Sequence, residues 1–284
     1  MTNPEAVRQA APLALMVQRA VAGDRAAVNA LVQALQGDVY GLALRMLANR
    51  EEAEDAAQEI LVRVVTRLSR FDGRSSVRTW AYRVAVNYLL DLKKSAAERL
   101  NLSFERMAEA LSELPGGEPV PESEQSLLVE EVKTGCTLGM LQCLDRPHRL
   151  AYVLGELLEL PGPEAAEILD LAPELFRKRL QLARTAIVAF TRSYCGLASD
   201  QAPCRCNRQV AGALKAGRLR PEACALAARA VSFEQTRAII RRVGQAQWAL
   251  QVHRSTQPRA ASIDFARRLM AALEPHFAAR RIPS

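Results

Sequence analysis

Four residues near position 80 combine the side chains that a protein needs to hold single-stranded nucleic acid. Thr79, Arg83 and Asn87 are spaced by four and would share one face of a helix, with Trp80 beside them. A guanidinium binds phosphates, an amide hydrogen-bonds a base edge, and an indole stacks on an unstacked base. Composition and periodicity alone favour a plainer interpretation, in which Trp80 lies in a core and the polar stripe is a solvated face.

A second helix, predicted from Pro173 to about position 192, also has a mixed polar face. A short helical segment from Pro163 to Leu169 and a turn precede it, which predicts a helix-turn-helix. If the polar face enters a major groove, its cations can reach guanine acceptors or phosphates, and its glutamine can address adenine. The alternative is a solvated helix of mixed charge. The candidate duplex-binding residues are Glu174, Arg177, Lys178, Gln181 and Arg184, opposite an apolar stripe of Phe176, Leu180, Ala183 and Ile187.

Three cysteines, Cys195, Cys204 and Cys206, follow this helix within 12 residues. Thiolates bind zinc when a fourth ligand completes a tetrahedral set, and Cys224 or His253 would be that ligand. The spacing differs from the Cys-x-x-Cys pairs of most structural zinc sites. A zinc site is therefore one of three interpretations, beside thiol redox sensing and plain unligated cysteines.

Helices must position all of these residues, because apolar residues recur at spacings of three and four throughout and strand signals are nearly absent. The 284 residues are 49% hydrophobic and only 5% aromatic, a mixture that builds cores and favours helices. Asn49 and Glu52 predict a capping-box start. A serine of the turn after Gly73 can cap the next helix, which would end near Lys93–Lys94. The sequence predicts an all-α fold.

The net charge of +7 permits an anionic partner without requiring one. Its distribution is uneven: residues 96–130 hold 2 basic and 8 acidic side chains, and residues 195–284 hold 15 and 5. A Pro- and Gly-containing stretch within the acidic segment indicates a linker. The sequence shows no secretory signal and no run of 18 apolar residues. We therefore expect a cytoplasmic protein without membrane association, whose thiols are reduced.

Two stretches of sequence carry a family resemblance. One is the acidic EEAEDAAQEI at residues 51–60, and the other is FDGRSSVRTWAYRVAVN at residues 71–87. In this order they closely resemble the second conserved region of bacterial sigma factors, above all the extracytoplasmic-function group. The acidic linker and the helix-turn-helix fall where that group has its linker and its fourth region. Asp170 stands where the family turn usually has glycine, and aspartate tolerates a left-handed backbone better than most residues.

The resemblance implies an alternative sigma factor that binds core RNA polymerase and directs promoter recognition and DNA melting in transcription initiation, without enzymatic activity. Promoter DNA and core polymerase are the partners it implies, and it leaves an anti-sigma factor open as a further one. The expected segments are an N-terminal segment (1–24), a region-2 helical bundle (25–95), a flexible acidic linker (96–129), a region-4 helix-turn-helix domain (130–194), and a basic, helical, cysteine-containing C-terminal extension (195–284).

Matching positions also carry the family's residue roles. The resemblance implies that Asp55, Gln58 and Glu59 bind the polymerase core. The proximal promoter and melting residues would be Arg74, Ser75, Thr79, Trp80, Arg83 and Asn87. The residues that read the distal promoter element as duplex would be Glu174, Arg177, Lys178, Gln181 and Arg184.

Two other classes of function compete with this interpretation. The first is a helix-turn-helix regulator that acts without polymerase-core binding and whose N-terminal bundle dimerises or senses a ligand. The second is an enzyme, which is weakly supported because no nucleophile triad, phosphate loop or paired catalytic carboxylates stand out. Of the three scattered histidines, His148 beside Pro147 is expected at a helix start.

Overall fold

A computed structural model of the chain describes residues 13, 15–113, 122–215, 219, 248–255, 260–261 and 263–279. Every regular element in these ranges is helical, apart from one isolated bridge between Cys195 and Cys204. The all-α prediction is confirmed. None of the helices in these ranges is long and apolar enough to cross a lipid bilayer.

The N-terminal bundle consists of α1 (Arg25–Leu47), α2 (Arg50–Thr66) and α3 (Val77–Asp91). Asn49 caps α2 as predicted, because its side chain accepts the Glu52 N–H at 2.9 Å. The predicted return contact from Glu52 is replaced by another, since the Glu52 carboxylate accepts the Ala96 N–H at 3.0 Å. Glu52 thus connects the start of α2 to the chain that follows the bundle.

Hydrogen bonds define both ends of α3. Ser76 Oγ accepts the Thr79 N–H at 3.0 Å, which confirms the predicted serine cap. The helix ends at Asp91, before the predicted end at Lys93–Lys94, and no basic residue lies in its last turn. The distant Arg146 guanidinium satisfies the terminal carbonyls instead. Its acceptors, at 2.6–3.1 Å, are the backbone oxygens of Leu89, Leu90, Leu92 and Lys93.

The acidic segment 96–129 is more regular than the sequence indicated. It contains α4 (Ala96–Arg99), α5 (Phe104–Glu113) and the start of α6 (Glu122–Gln142), while residues 114–121 lie outside the described ranges. Ser95 and Glu98 form a capping box around α4. Apolar residues of α5 pack on the main core, where the Phe104 ring lies 5.3 Å from the Phe190 ring. This packing explains why a segment with a weak local pattern is helical.

The predicted helix-turn-helix is present. It comprises α8 (Gly162–Ile168) and α9 (Pro173–Tyr194), and it follows α7 (Arg146–Tyr152) and a π-helical turn (Val153–Leu157). Pro163 and Pro173 occupy first helical turns as predicted, where no N–H is needed. Asp170 adopts a φ of 53° in the turn, so it takes the left-handed backbone expected of it. His148 lies in the first turn of α7, and its N–H donates to Asp145 at 2.9 Å.

The C-terminal extension contributes α10 (Cys206–Lys215), α11 (Trp248–Ser255) and α12 (Phe265–Ala279). Helix α10 packs on α6, α11 packs on α9, and α12 packs on both α1 and α2. Phe265 and Leu269 of α12 belong to the same apolar core as the bundle. The apolar run Ala223–Val231 of the extension lies outside the described residues.

A buried ion-pair network joins the bundle to the helix-turn-helix half. Glu98 Oε1 lies 3.1 Å from Arg149 Nη1, and Glu98 Oε2 lies 2.7 Å from Arg146 Nη2. Burial acts to raise the pKa of Glu98, but hydrogen bonds from Arg146 and the Ser95 N–H, together with both guanidinium charges, lower it to about 2. The fully buried Arg149 side chain also donates to the backbone oxygens of Met46, Leu141 and Leu144.

Candidate nucleic-acid interface

The α2 polar face, defined as Asp55, Gln58 and Glu59, lies on the outside of the bundle. Asp55 is exposed, and Gln58 and Glu59 are half-buried. Glu59 Oε1 accepts from Arg63 Nε at 2.8 Å, and Gln58 Oε1 accepts from Arg268 Nη1 of α12 at 3.4 Å. The three predicted residues therefore share one surface, part of which the C-terminal extension already contacts.

The loop between α2 and α3 presents Arg74 to solvent. Gly73 has a φ of 74°, a conformation that favours glycine. Asp72 Oδ1 accepts the Arg74 N–H at 3.0 Å, and this hydrogen bond lowers the pKa of Asp72. The Arg74 side chain is 88% exposed and Ser75 is half-buried. Both predicted loop residues thus reach the surface.

The α3 polar face, defined as Thr79, Trp80, Arg83 and Asn87, is only partly open. Asn87 is exposed, Trp80 and Arg83 are half-buried, and Thr79 is buried. The Trp80 ring lies 5.8 Å from the Phe71 ring, so the indole rests on the loop at the edge of the core. This position combines the two interpretations of Trp80, because the ring packs on one side and reaches the surface on another.

Two carboxylates of α8 contact the α3 polar face. Thr79 Oγ1 donates to Glu164 Oε1 at 2.6 Å. Arg83 Nη2 donates to Glu167 Oε1 at 2.8 Å and to the Glu167 backbone oxygen at 3.1 Å. In this arrangement the first helix of the helix-turn-helix covers part of the surface that the sequence assigns to nucleic acid.

The α9 polar face, defined as Glu174, Arg177, Lys178, Gln181 and Arg184, is exposed along its length. Arg177 Nη2 donates to Glu174 Oε1 at 2.8 Å, but these side chains are 69% and 74% exposed, so the pair adds little stability and leaves Arg177 accessible. On the opposite stripe Phe176, Ala183 and Ile187 are buried as predicted, and Leu180 is half-buried.

Arg184 differs from the rest of the α9 polar face because it has a buried partner. Its Nε donates at 2.8 Å to Oε1 of Glu156, a residue of the π-helical turn that is 2% exposed. Arg254 of α11 donates to Oε2 of the same carboxylate at 3.1 Å. Glu156 therefore connects the predicted duplex-binding helix to the C-terminal extension.

Four cysteines line a single cavity of about 360 Å³ that α5, α6 and α10 help to enclose. Burial raises the pKa of all four thiols, and that of Cys204 to about 12, so they are protonated at neutral pH. No group of three potential ligands among the described residues could hold a metal ion. Cys224 lies outside those residues, and His253 packs its ring 5.7 Å from the Tyr152 ring. The zinc site stays a prediction. The four cysteines are Cys136, Cys195, Cys204 and Cys206.

Comparisons with known proteins identify the family to which the chain belongs. The sequence model of Sigma-70 region 2 matches residues 31–99. The chain is 30% identical to the ECF RNA polymerase sigma-E factor of Escherichia coli K12 over 175 residues, which cover 61% of this chain and 91% of that protein. The chain belongs to the family of ECF RNA polymerase sigma factors.

Other relatives of this sigma factor match it over a stretch of similar length. The ECF RNA polymerase sigma factor SigW of Bacillus subtilis is 28% identical over 177 residues, which cover 58% of this chain and 89% of SigW. The RNA polymerase sigma-H factor of Pseudomonas aeruginosa is 28% identical over 175 residues, with coverage of 61% and 90%. A solved structure, CnrH in complex with the cytosolic domain of CnrY, is 24% identical, covers 62% of this chain and 94% of CnrH, and has a TM-score of 0.41.

The comparisons confirm the interpretation as an alternative sigma factor of transcription initiation. A helix-turn-helix regulator that acts without polymerase is not favoured. Residues 31–99 of this sigma factor include the α2 polar face, the loop with Arg74 and the α3 polar face. The residue-level roles of these surfaces are proposals.

Sequence reasoning missed three acidic residues of this sigma factor. Glu164 and Glu167 resemble ordinary solvated helix residues, and nothing in their local pattern indicates a partner about 85 residues away. Glu156 had a weak signal, because it lies within an otherwise apolar stretch of a helical segment. An acidic residue that is buried in this way needs a cationic partner, which the structure supplies from Arg184 and Arg254.

Proposed function

We propose that this sigma factor divides initiation among three surfaces. The α2 polar face docks on core RNA polymerase. The α3 polar face, with Arg74 and Ser75, opens the proximal promoter element, and the α9 polar face reads the distal element as duplex. Segments 25–95 and 130–194 are then the two functional domains, joined by 96–129 and followed by the extension 195–284. The sigma factor acts by binding and supplies no catalytic group.

The position of Trp80 carries the proposal for promoter melting. Contact with Phe71 orients the indole before DNA arrives, so little conformational entropy is lost when a base stacks on it. Extruding a base costs a few kcal/mol of stacking. Stacking on an aromatic side chain contributes about 1–3 kcal/mol per base. The guanidinium of Arg74, which is exposed and forms an ion pair with Asp72, provides a phosphate contact in the loop that follows Phe71.

Exposure along one helix supports the proposal for the distal element. Arg177, Lys178 and Gln181 are exposed on α9, which follows the short helix α8 and its turn. A well-placed bidentate contact between such a side chain and a base contributes about 1–3 kcal/mol of discrimination. Lysine contacts to phosphate position the helix without reading sequence.

Reconstitution with core RNA polymerase on a promoter library tests the proposed function. We expect the full chain to form a holoenzyme and to direct specific start sites with an opened proximal element. Asp55→Ala combined with Glu59→Ala should weaken core binding, and Glu105→Ala with Glu109→Ala on α5 is the control that removes the same charge. Failure of the wild-type chain to bind core polymerase or to start specific transcripts would overturn the proposal.

A further inference from the structure

The closed arrangement of the chain covers groups that the proposed promoter contacts need. Glu164 and Glu167 of α8 occupy the hydrogen-bonding positions of Thr79 and Arg83 on α3. A nucleic-acid strand cannot use these groups at the same time, and its phosphates would also be repelled by the two carboxylates. Thr79 and Arg83 therefore bind either α8 or DNA.

The C-terminal extension contacts the helix-turn-helix half through Arg254. Arg254 Nε donates to the Glu156 backbone oxygen at 2.9 Å, Nη2 donates to Glu156 Oε2 at 3.1 Å, and Nη1 lies 2.9 Å from Glu159 Oε1. The two contacts to Glu156 are made by the π-helical turn, and the contact to Glu159 is made by the segment between this turn and α8. The Glu156 carboxylate is buried, so removal of one of its cationic partners is costly.

The same extension packs on the N-terminal bundle through α12. The apolar side of α12 is buried against α1 and α2, and the Phe265 ring lies 6.2 Å from the Tyr40 ring. Glu274 Oε1 lies 2.8 Å from Arg25 Nη1. Arg268 reaches Gln58 of the α2 polar face. One extension therefore contacts both halves of the sigma factor.

We infer that the C-terminal extension is an intramolecular strap that keeps this sigma factor in an autoinhibited, closed state. Helix α11 contacts the helix-turn-helix half and α12 contacts the bundle. Together these contacts stabilise the position of α8 against the α3 polar face. The closed state lowers the affinity for promoter DNA, and bound promoter DNA disfavours the closed state by the same factor. The inference rests on the proposed promoter contacts of Thr79 and Arg83.

Two measurements on the full chain test the strap. Small-angle X-ray scattering reports opening as a larger radius of gyration, and a fluorescent pool of random single-stranded DNA, about 12 nucleotides long, reports access to the α3 polar face. Arg254→Ala removes the grip on Glu156. We expect a larger radius and DNA binding tighter by roughly 5-fold or more, although the variant has lost a positive charge. Arg267→Ala on the exposed side of α12 removes the same charge and should show neither change.

A second variant pair keeps the test decisive if Arg254→Ala fails to fold. Glu164→Ala with Glu167→Ala removes the α8 carboxylates without altering the strap and should also tighten DNA binding. Glu105→Ala with Glu109→Ala is its charge-matched control. Unchanged radius and unchanged DNA binding in every folded variant would overturn the strap. A larger radius without tighter DNA binding would support the strap and overturn the promoter role of Thr79 and Arg83.

Discussion

Arg146 of α7 and Glu98 of α4 form a largely buried ion pair where the linker segment meets the helix-turn-helix half. Arg146 Nη2 lies 2.7 Å from Glu98 Oε2, and the side chains are 18% and 10% exposed. Arg146 also donates to the last carbonyls of α3, and Glu98 also accepts from Arg149. The Glu98 carboxylate therefore stabilises the place where the bundle, α4 and α7 meet.

Glu98→Ala should destabilise the protein by about 3 kcal/mol, because it leaves the buried Arg149 guanidinium without its anion. Urea unfolding followed by circular dichroism measures the change in the free energy of unfolding. Glu109→Ala, at an exposed site on α5, should change that free energy by no more than about 0.5 kcal/mol. Equal effects of the two substitutions would contradict a structural role for the Glu98 pair.

The Glu98 pair should also make stability depend on pH in the acid range. The folded-state pKa of Glu98 is about 2, below its ordinary value of 4.5, so its contribution is complete above pH 4.5 and is lost as the pH falls towards 2. The measurement is the free energy of unfolding of the wild type and of Glu98→Gln across this window. The gap between the two should narrow as the pH falls. A constant gap would show that ionisation of Glu98 contributes nothing.

His253 should destabilise the folded state at mildly acidic pH. Burial lowers the pKa of His253 from 6.5 to about 3, and neither ring nitrogen has a hydrogen-bond partner among the described residues. Between these values the unfolded chain binds a proton that the folded chain does not, so stability falls with falling pH by up to about 1.4 kcal/mol per unit. His253→Leu should flatten the unfolding free energy between pH 7 and 5. A slope that survives the substitution must come from another group.

Trp80→Ala should slow open-complex formation by roughly 10-fold while core binding stays nearly intact, because a stacked base loses about 1–3 kcal/mol of contact. Permanganate reactivity of promoter thymines and co-purification with core polymerase measure the two effects. Asp55→Ala is the converse control, because it should weaken core binding directly. Equal loss of both activities in Trp80→Ala would indicate that the indole acts through the core of the bundle instead.

Arg177→Ala and Lys178→Ala should separate base reading from phosphate contact on α9. If Arg177 reads a base, its loss costs about 1–3 kcal/mol and relaxes preference at one position of the distal element. Loss of Lys178 should weaken all sequences equally and reduce the salt dependence of binding by about one ion. Footprints and titrations on distal-element variants give both readouts. An unchanged distal footprint in Arg177→Ala would argue against α9 as the reading helix.

Local chemistry made much of the fold predictable. Ser76, Pro163 and Pro173 each indicate a helix start through a property of one residue, and Asp170 fits the left-handed turn for the same kind of reason. Apolar spacing placed the buried stripe of α9 correctly. Helix α5 was not predicted, because its stability comes from packing on distant apolar residues such as Phe190.

The state of the candidate site was not predictable in this way. A polar stripe has the same pattern whether water, DNA or a carboxylate faces it. Thr79 and Glu164 are 85 residues apart, and Arg149 and Met46 are 103 residues apart. The spacing of residues within one helix therefore does not indicate either contact. The sequence therefore indicated which groups can bind nucleic acid, and the structure shows which of them are already occupied.

The shared use of Glu156 has a consequence for newly made protein. Arg184 and Arg254 are 70 residues apart in sequence, and a ribosome that adds roughly 5–20 residues per second takes about 4–14 s to cover that interval. Both segments that we propose to contact DNA thus leave the ribosome before α11 and α12, which contact the two halves. If the extension acts as the proposed strap, every nascent copy passes through an interval of several seconds in which the proposed promoter surfaces are present without it. The rate of translation would then contribute to the amount of open sigma factor in a cell.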